Sequence, residues 1–469
     1  MRKEKDSFGI KELADDVYYG VQTLRAVENF PISGWRAFPS FINATVHIKR
    51  AAAQVHKELG LLPADKADAI IKAADEILSG KHRDQFVVDV FQAGAGTSHN
   101  MNTNEVLSNK ALEILKREKG DYEFISPNDH VNMGQSTNDV IPTAIRIAAL
   151  LEIQPFLAKL EMLKNAFTKK AKEFDSIIKS GRTHVQDATP LRLGQEFSGY
   201  AASIEKHHKK ITSAAEELQE IGLGGSAVGT GLNTHPRYRE MVAQQLAKQT
   251  GLKLRPAKNF FEAMQSLAPF ASISAALRNL ALDLTRIAND FRLMASGPNT
   301  GLAELLLPAV QPGSSIMPGK VNPVLAEMMN MMCFYVIGVD TSIAMAVQAG
   351  QLELNVMMPL IAYQLPSTIL VFGNAIEAFG VKCVAGLEAD KERCLDYAEK
   401  SLSIVTALNP YIGYLKAAEL AKESQKTGKR IRDLVLEKKL LPKDQLDEIL
   451  DLLSMTEPGI PGKTEKIKK

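Results

Sequence analysis

The chain has 469 residues, 45% of them hydrophobic but only 6% aromatic, and 56 basic residues against 54 acidic ones leave a formal charge of +2. That length exceeds one compact core and asks for two or three domains, and the aliphatic mixture favours packed helices. Balanced charge argues against nucleic acid and membrane surfaces as partners, while three unpaired-looking cysteines (Cys333, Cys383, Cys394) argue against a disulfide framework and fit a reducing cytoplasm.

Met1 to Ser7 have no apolar core, so no signal peptide is expected there. Residues 1–139 read as a mixed, mainly helical domain with polar loops. One loop, Phe91 to Asn100, contains Gly94-Ala95-Gly96-Thr97-Ser98 and leads into a helix expected from Asn102. A second, Ser126 to Asp139, ends in Gln135-Ser136-Thr137-Asn138-Asp139 and also leads into a helix. Helix amino ends favour anions, because the N–H groups there lack partners within the helix. Taken singly, these Ser, Thr and Asn residues read as ordinary helix caps.

Residues 140–392 change to long helical periodicity. Phe197, Ala201, Ile204, His208, Ile211, Ala215 and Leu218 alternate four and three apart, and Leu277, Leu280, Leu284, Ile287, Phe291 and Met294 alternate three and four. Both are seven-residue seams of nearly parallel packed helices. The first places His208 in the core and His207 in solvent. Further long helices are expected at about 142–173, 323–353 and 360–387. Five such helices exceed what one chain easily buries, so bundling between subunits is expected. Leu354 to Ile376 carry no charge over a membrane-spanning length. Asn355, Gln364, Asn374, Pro359 and Pro366, with no flanking basic clusters, favour a helix buried in an oligomer instead.

Gly181-Arg182-Thr183-His184-Val185-Gln186-Asp187 reads as a turn before a helix starting near Pro190. Alone, His184 is more simply a capping-turn histidine than a proton carrier. Gly222 to Ala227 and Gly229 to Asn233 complete no GxGxxG and follow no βαβ unit, which rejects dinucleotide binding. Residues 393–469 form a smaller, more charged helical domain, with two short helices around Leu440-Leu441-Pro442 and a Lys-rich, disordered end. The sequence shows no HExxH and no carboxylate cluster at metal-ligand spacing.

The most informative stretch is Gly313-Ser314-Ser315-Ile316-Met317-Pro318-Gly319-Lys320-Val321-Asn322-Pro323. Two glycines and two prolines make it a loop, and its spacing is not that of a P-loop. It offers hydroxyls, an amide, a lysine and backbone N–H groups. Together with the other loops, such a lining suits a small dicarboxylate.

Gly96-Thr97-Ser98, Gln135 to Asp139, Gly181 to His184, Gly194-Gln195-Glu196-Phe197, Gly229 to Asn233 and the 313–323 loop together resemble the fumarase/aspartase superfamily over nearly the whole chain. That resemblance implies an all-α fold. A long central helix bundle forms a twenty-helix core in a homotetramer, with each active site built by three subunits. Thr137, Thr103, Gly350 to Asn355 and Val17 to Gly20 look like the aspartase branch. Thr183 to Pro190 and Thr406 to Pro410 look like the fumarases. The reaction implied is reversible removal of ammonia from L-aspartate to give fumarate, without a cofactor; the alternative is hydration of fumarate. A non-catalytic protein on the same scaffold is opposed by the intact Ser314, Lys320, Asn322 and His184.

Carried over residue by residue, the resemblance makes Ser314 the base, and Ser315 with the loop N–H groups a support for the enediolate. Thr97, Ser136 and Thr137 then hold the reacting carboxylate, and Thr183, Lys320 and Asn322 the other. Asn138 and His184 face the amino group, and Glu327 orients His184. The chain departs from the pattern at Ser126, where histidine is common, at Asn299, where arginine is usual, and at Met358, where aspartases often have an acid.

Overall fold

Regularly spaced aliphatic residues decide most of the secondary structure in the computed structural model, which describes residues 1–463. The Lys-rich end expected to be disordered lies largely outside them. In chain order come β1 (Arg2–Asp6), β2 (Gly9–Leu13), α1 (Val21–Asn29), α2 (Pro39–Glu58), α3 (Ala64–Leu78), α4 (Thr97–Ile114) and α5 (Thr137–Glu173). Then follow β3 (Ile178–Thr183), β4 (Gln186–Arg192), α6 (Leu193–Glu217), α7 (Tyr238–Thr250), α8 (Phe260–Gln265) and α9 (Ala268–Met294). The remaining helices are α10 (Val324–Gln348), α11 (Met358–Lys382), α12 (Lys391–Lys400), α13 (Asn409–Ile412), α14 (Tyr414–Thr427), α15 (Ile431–Glu437) and α16 (Lys443–Ile449). The all-α expectation holds: among the described residues every sheet has two strands.

The seam of α9 is buried at Leu277, Leu280, Leu284, Ile287, Phe291 and Met294. Each such side chain removed from water contributes about 1.5–3 kcal/mol, far more than helix propensity. The α6 seam corrects one reading, because His207 is buried and His208 only partly so. Burial at position 207 is set by what packs against that face of α6, which the spacing along a single helix does not encode. The second correction concerns Gly181 to Asp187. They belong to the β3–β4 hairpin, and the helix begins at Leu193, not near Pro190.

The chain divides into two compact units, and the division falls within each of the five long helices α5, α6, α9, α10 and α11. One unit comprises residues 1–158, 207–281 and 332–374. Its core joins Ile42 and Val46 of α2, Ile70 and Ile77 of α3, and Leu107 and Leu112 of α4. Buried Glu105 accepts the N–H groups of Gly20, Gln22 and Thr23 at the start of α1, and burial pushes its carboxyl up to about 7. A Cβ on Gly20 would stand 2.5 Å from the Tyr122 hydroxyl, so only glycine fits there.

The other unit comprises 159–206, 282–331 and the chain from Ala375 onward. Its carboxyl-terminal helices bury Ile404, Leu408, Leu420, Leu434, Val435, Leu446 and Ile449 together. The two short helices expected around Leu440-Leu441-Pro442 are α15 and α16.

Among the described residues three helical stretches, α5, α10 and Met358–Gly386, are long and apolar enough to cross a membrane by length and composition. In α10 only 33% of the most apolar window is buried, and Met331, Phe334, Tyr335 and Met345 are exposed.

Candidate active site

Four of the sequence-predicted residues sit at helix amino ends of the first unit. Ala95 (φ 63) and Gly96 (φ 88) turn the chain into α4, and the Ala95 N–H is fixed by the Val356 carbonyl at 2.8 Å. A Cβ on Gly96 would meet Ile141 at 3.1 Å. The turn leaves Thr97 exposed on the first turn of α4. Ser126 caps the following Pro127–Val131 turn by accepting the Asp129 N–H, and lines a cavity of about 740 Å³ with Thr97, Ser98 and Arg25.

At the start of α5, Ser136 Oγ accepts the Asn138 N–H (3.2 Å) and Asp139 reaches back to the Ser136 N–H (2.9 Å). This is a capping box with Asp in place of Glu. The other Asp139 oxygen accepts the N–H groups of Gly224 and Ser226, both at 2.9 Å, which ties the glycine-rich 222–231 stretch to the helix entry. Burial pushes Asp139 up to about 6 although these N–H groups favour its charge. Asn138 donates its amide N–H to the Ala227 carbonyl at 2.9 Å, so its Oδ1 is presented as an acceptor. Asn100 donates to Thr137 Oγ1 at 3.2 Å.

Lys49, Asn100 and Asn132 were not singled out by the motifs, and Asp139 stood in one of them without an assigned role. A signal for Lys49 was present. It falls at helical spacing between the buried Thr45 and Val46 and the buried Ala52 and Ala53, on the apolar face of α2.

The second unit carries the other candidates. His184 (φ 56) and Val185 (φ 59) form the two-residue turn between β3 and β4, with Thr183 paired to Gln186. Both left-handed residues match a type I′ turn, yet neither is Gly, Asn or Asp, and for a β-branched valine the conformation is strained. All of Thr183 to Asp187 are exposed. Behind the tip, Arg182 pairs with fully buried Glu304 at 2.8 Å, and Lys179 lies 3.9 Å from Glu304 and 3.1 Å from Glu196. Glu304→Ala leaves buried Lys179 and half-buried Arg182 short of a partner and is expected to cost about 3–5 kcal/mol, read as a lowered denaturant midpoint.

The 313–323 loop is closed at its neck. The Gly313 N–H donates to the Lys320 carbonyl (2.8 Å), and Asn322 Nδ2 donates to the Gly313 carbonyl (2.7 Å). A Cβ on Gly313 would stand 2.6 Å from that Lys320 oxygen. Inside the loop, Ser314 Oγ accepts the backbone N–H groups of Ile316 (3.2 Å) and Met317 (3.0 Å). Ser315, Ile316, Lys320 and Val321 are exposed, while Ser314 and Asn322 are half-buried. Glu327 lies on the first turn of α10, and among the described residues no hydrogen bond joins it to His184. Of the departures, Asn299 is exposed and Met358 is buried at the start of α11.

Residues 9–338 match the family model described as Lyase, and residues 404–457 the one described as Fumarase C C-terminus. The chain belongs to the fumarase/aspartase superfamily. Within the superfamily it is 50% identical to the aspartate ammonia-lyase of Bacillus subtilis (strain 168), over 98% of this chain and 97% of that one. Among solved structures it is similar to a fumarate lyase:delta crystallin from Brucella melitensis bound to cobalt, at TM-score 0.94 and 46% identity, covering 97% and 100% of the two chains. It is also similar to a recombinant class II fumarase from Schistosoma mansoni, at TM-score 0.93 and 37% identity, covering 97% and 99%. The two solved structures match the backbone almost equally well. The sequence identities lean toward the ammonia-lyase.

Proposed function

We propose that this chain removes ammonia reversibly from L-aspartate to give fumarate, in the cytoplasm and without a cofactor. The observation that carries the reading is Ser314. A serine is a poor base unless its alkoxide is held, and the N–H groups of Ile316 and Met317 already point at its oxygen. The Ser314 alkoxide takes a C3 proton from aspartate, and the electron pair of that C–H bond moves into the adjacent carboxylate to give an enediolate. The pair then returns to form the double bond as the C2–N bond breaks, and ammonia leaves.

Enediolate formation adds negative charge to one carboxylate, so preorganised donors there lower the barrier. Thr97, Ser136 and Thr137, at the amino ends of α4 and α5, suit that task, with Ser315 and the loop N–H groups. Thr183, Lys320 and Asn322 hold the second carboxylate, and Asn138 Oδ1 and His184 face the amino group. Glu327 orients His184. In the homotetramer, five long helices from each of four chains make the twenty-helix core, and loops of three subunits meet at each site. The exposed Met331, Phe334, Tyr335 and Met345 of α10 support such a core, because an apolar face this large is covered by a partner.

Hydration of fumarate is the second reading, favoured by the match to the class II fumarase. Ultraviolet absorbance of fumarate, followed with aspartate and malate in parallel, separates the two. Fumarate is expected to appear from aspartate and not from malate, and the converse would replace this reaction with the hydratase.

A further inference from the structure

Lys49 is fully buried and lies on α2, and no motif or proposed step uses it. Its Nζ donates to Asn132 Oδ1 at 2.8 Å and to Gln135 Oε1 at 3.0 Å, on the loop that precedes α5. An ammonium donates only, so both side-chain amides must turn their oxygens toward it. Asn132 Nδ2 is then committed to the Gln135 carbonyl at 3.1 Å. Asn132 Oδ1 also accepts from Asn100 Nδ2 at 3.3 Å, and the same Asn100 group donates to Thr137 Oγ1 at 3.2 Å.

The chain of donors has one direction. Thr137 Oγ1 is used as an acceptor, and among the described residues nothing accepts its proton. That proton is left for a bound anion. We propose that Lys49 is a positioning residue, which through Asn132 and Asn100 holds the Thr137 hydroxyl as a donor toward the reacting carboxylate.

The inference rests on the reading that Thr137 binds that carboxylate. Burial holds Lys49 at about 7, with Asp139 of α5 as the carboxylate whose charge favours its protonated form and His99 of α4 as the other titratable neighbour. Burying such a group without direct ion pairing is costly, and a role in ordering donors accounts for it better than stability does.

The test is a pair of double-mutant cycles on kcat and KM with aspartate. Lys49→Met and Asn100→Asp are each made alone and together with Thr137→Val. Thr137→Val is expected to lose about 100-fold in kcat, as removal of one transition-state donor does. Lys49→Met and Asn100→Asp are expected to lose about tenfold or more in kcat with little change in KM, and to add almost nothing in the Thr137→Val background. Losses that multiply in the double mutants overturn the proposal, because a merely structural lysine acts independently of Thr137. If Lys49→Met does not fold, the Asn100→Asp cycle decides alone. Full activity in Thr137→Val itself removes the underlying carboxylate reading, which is a separate and recognisable result.

Discussion

Ser314→Ala is expected to lower kcat by about 10³-fold or more, the scale of a positioned general base, while KM for aspartate moves little. The substitution removes the only group proposed to take the C3 proton and leaves every carboxylate contact in place. The backbone has no need of the hydroxyl, since the neck of the loop is held by Gly313, Lys320 and Asn322. The N–H groups of Ile316 and Met317 lose an acceptor but sit in a largely exposed loop, where water replaces it. Unfolding midpoint and oligomeric state therefore stay at their wild-type values. A variant that keeps a tenth of the wild-type kcat would transfer the base to another residue, and a variant that unfolds early would show that the two N–H contacts are structural.

How far the sequence could be read depended on whether one residue or a partnership carried the information. The α9 seam was legible because Leu277 to Met294 repeat the same hydrophobic spacing over several turns, and burial followed it. The 313–323 loop was legible because its glycines and prolines act locally, and Gly313 is confined by a carbonyl 2.6 Å from where its Cβ would be. The β3–β4 hairpin was not legible. Its turn is His184-Val185, with none of the Gly, Asn or Asp that announces a type I′ turn, and tertiary contacts such as Arg182 with Glu304 hold it instead. The wiring under the α5 entry was also hidden. Lys49, Asn100 and Asn132 lie in three separate segments, and their meaning comes from hydrogen bonds that no spacing encodes. Resemblance reached Thr97, Ser136, Thr137 and Asn138 because it carries whole motifs, but it stayed silent on what orients them.

Lys320→Met is expected to act on the opposite kinetic parameter from Ser314→Ala. Lys320 is exposed on the loop and is proposed to meet the carboxylate that does not react. That group has the same charge in bound aspartate and in the enediolate, so the lysine stabilises ground and transition states alike. Uniform binding of this kind sets KM and leaves kcat nearly unchanged. Loss of one charge-assisted hydrogen bond is worth about 1.5–3 kcal/mol, which corresponds to a rise in KM of roughly 10- to 150-fold. Methionine keeps the length and apolar stem of the side chain, and the Lys320 carbonyl that receives the Gly313 N–H is retained. Because the lost interaction is between an exposed cation and an anion, the wild-type KM should rise with ionic strength and the variant's should not. An unchanged KM would take Lys320 out of the carboxylate site. A fall in kcat as large as that of Ser314→Ala would mean that the lysine faces the reacting carboxylate, so that the two carboxylate assignments must be exchanged.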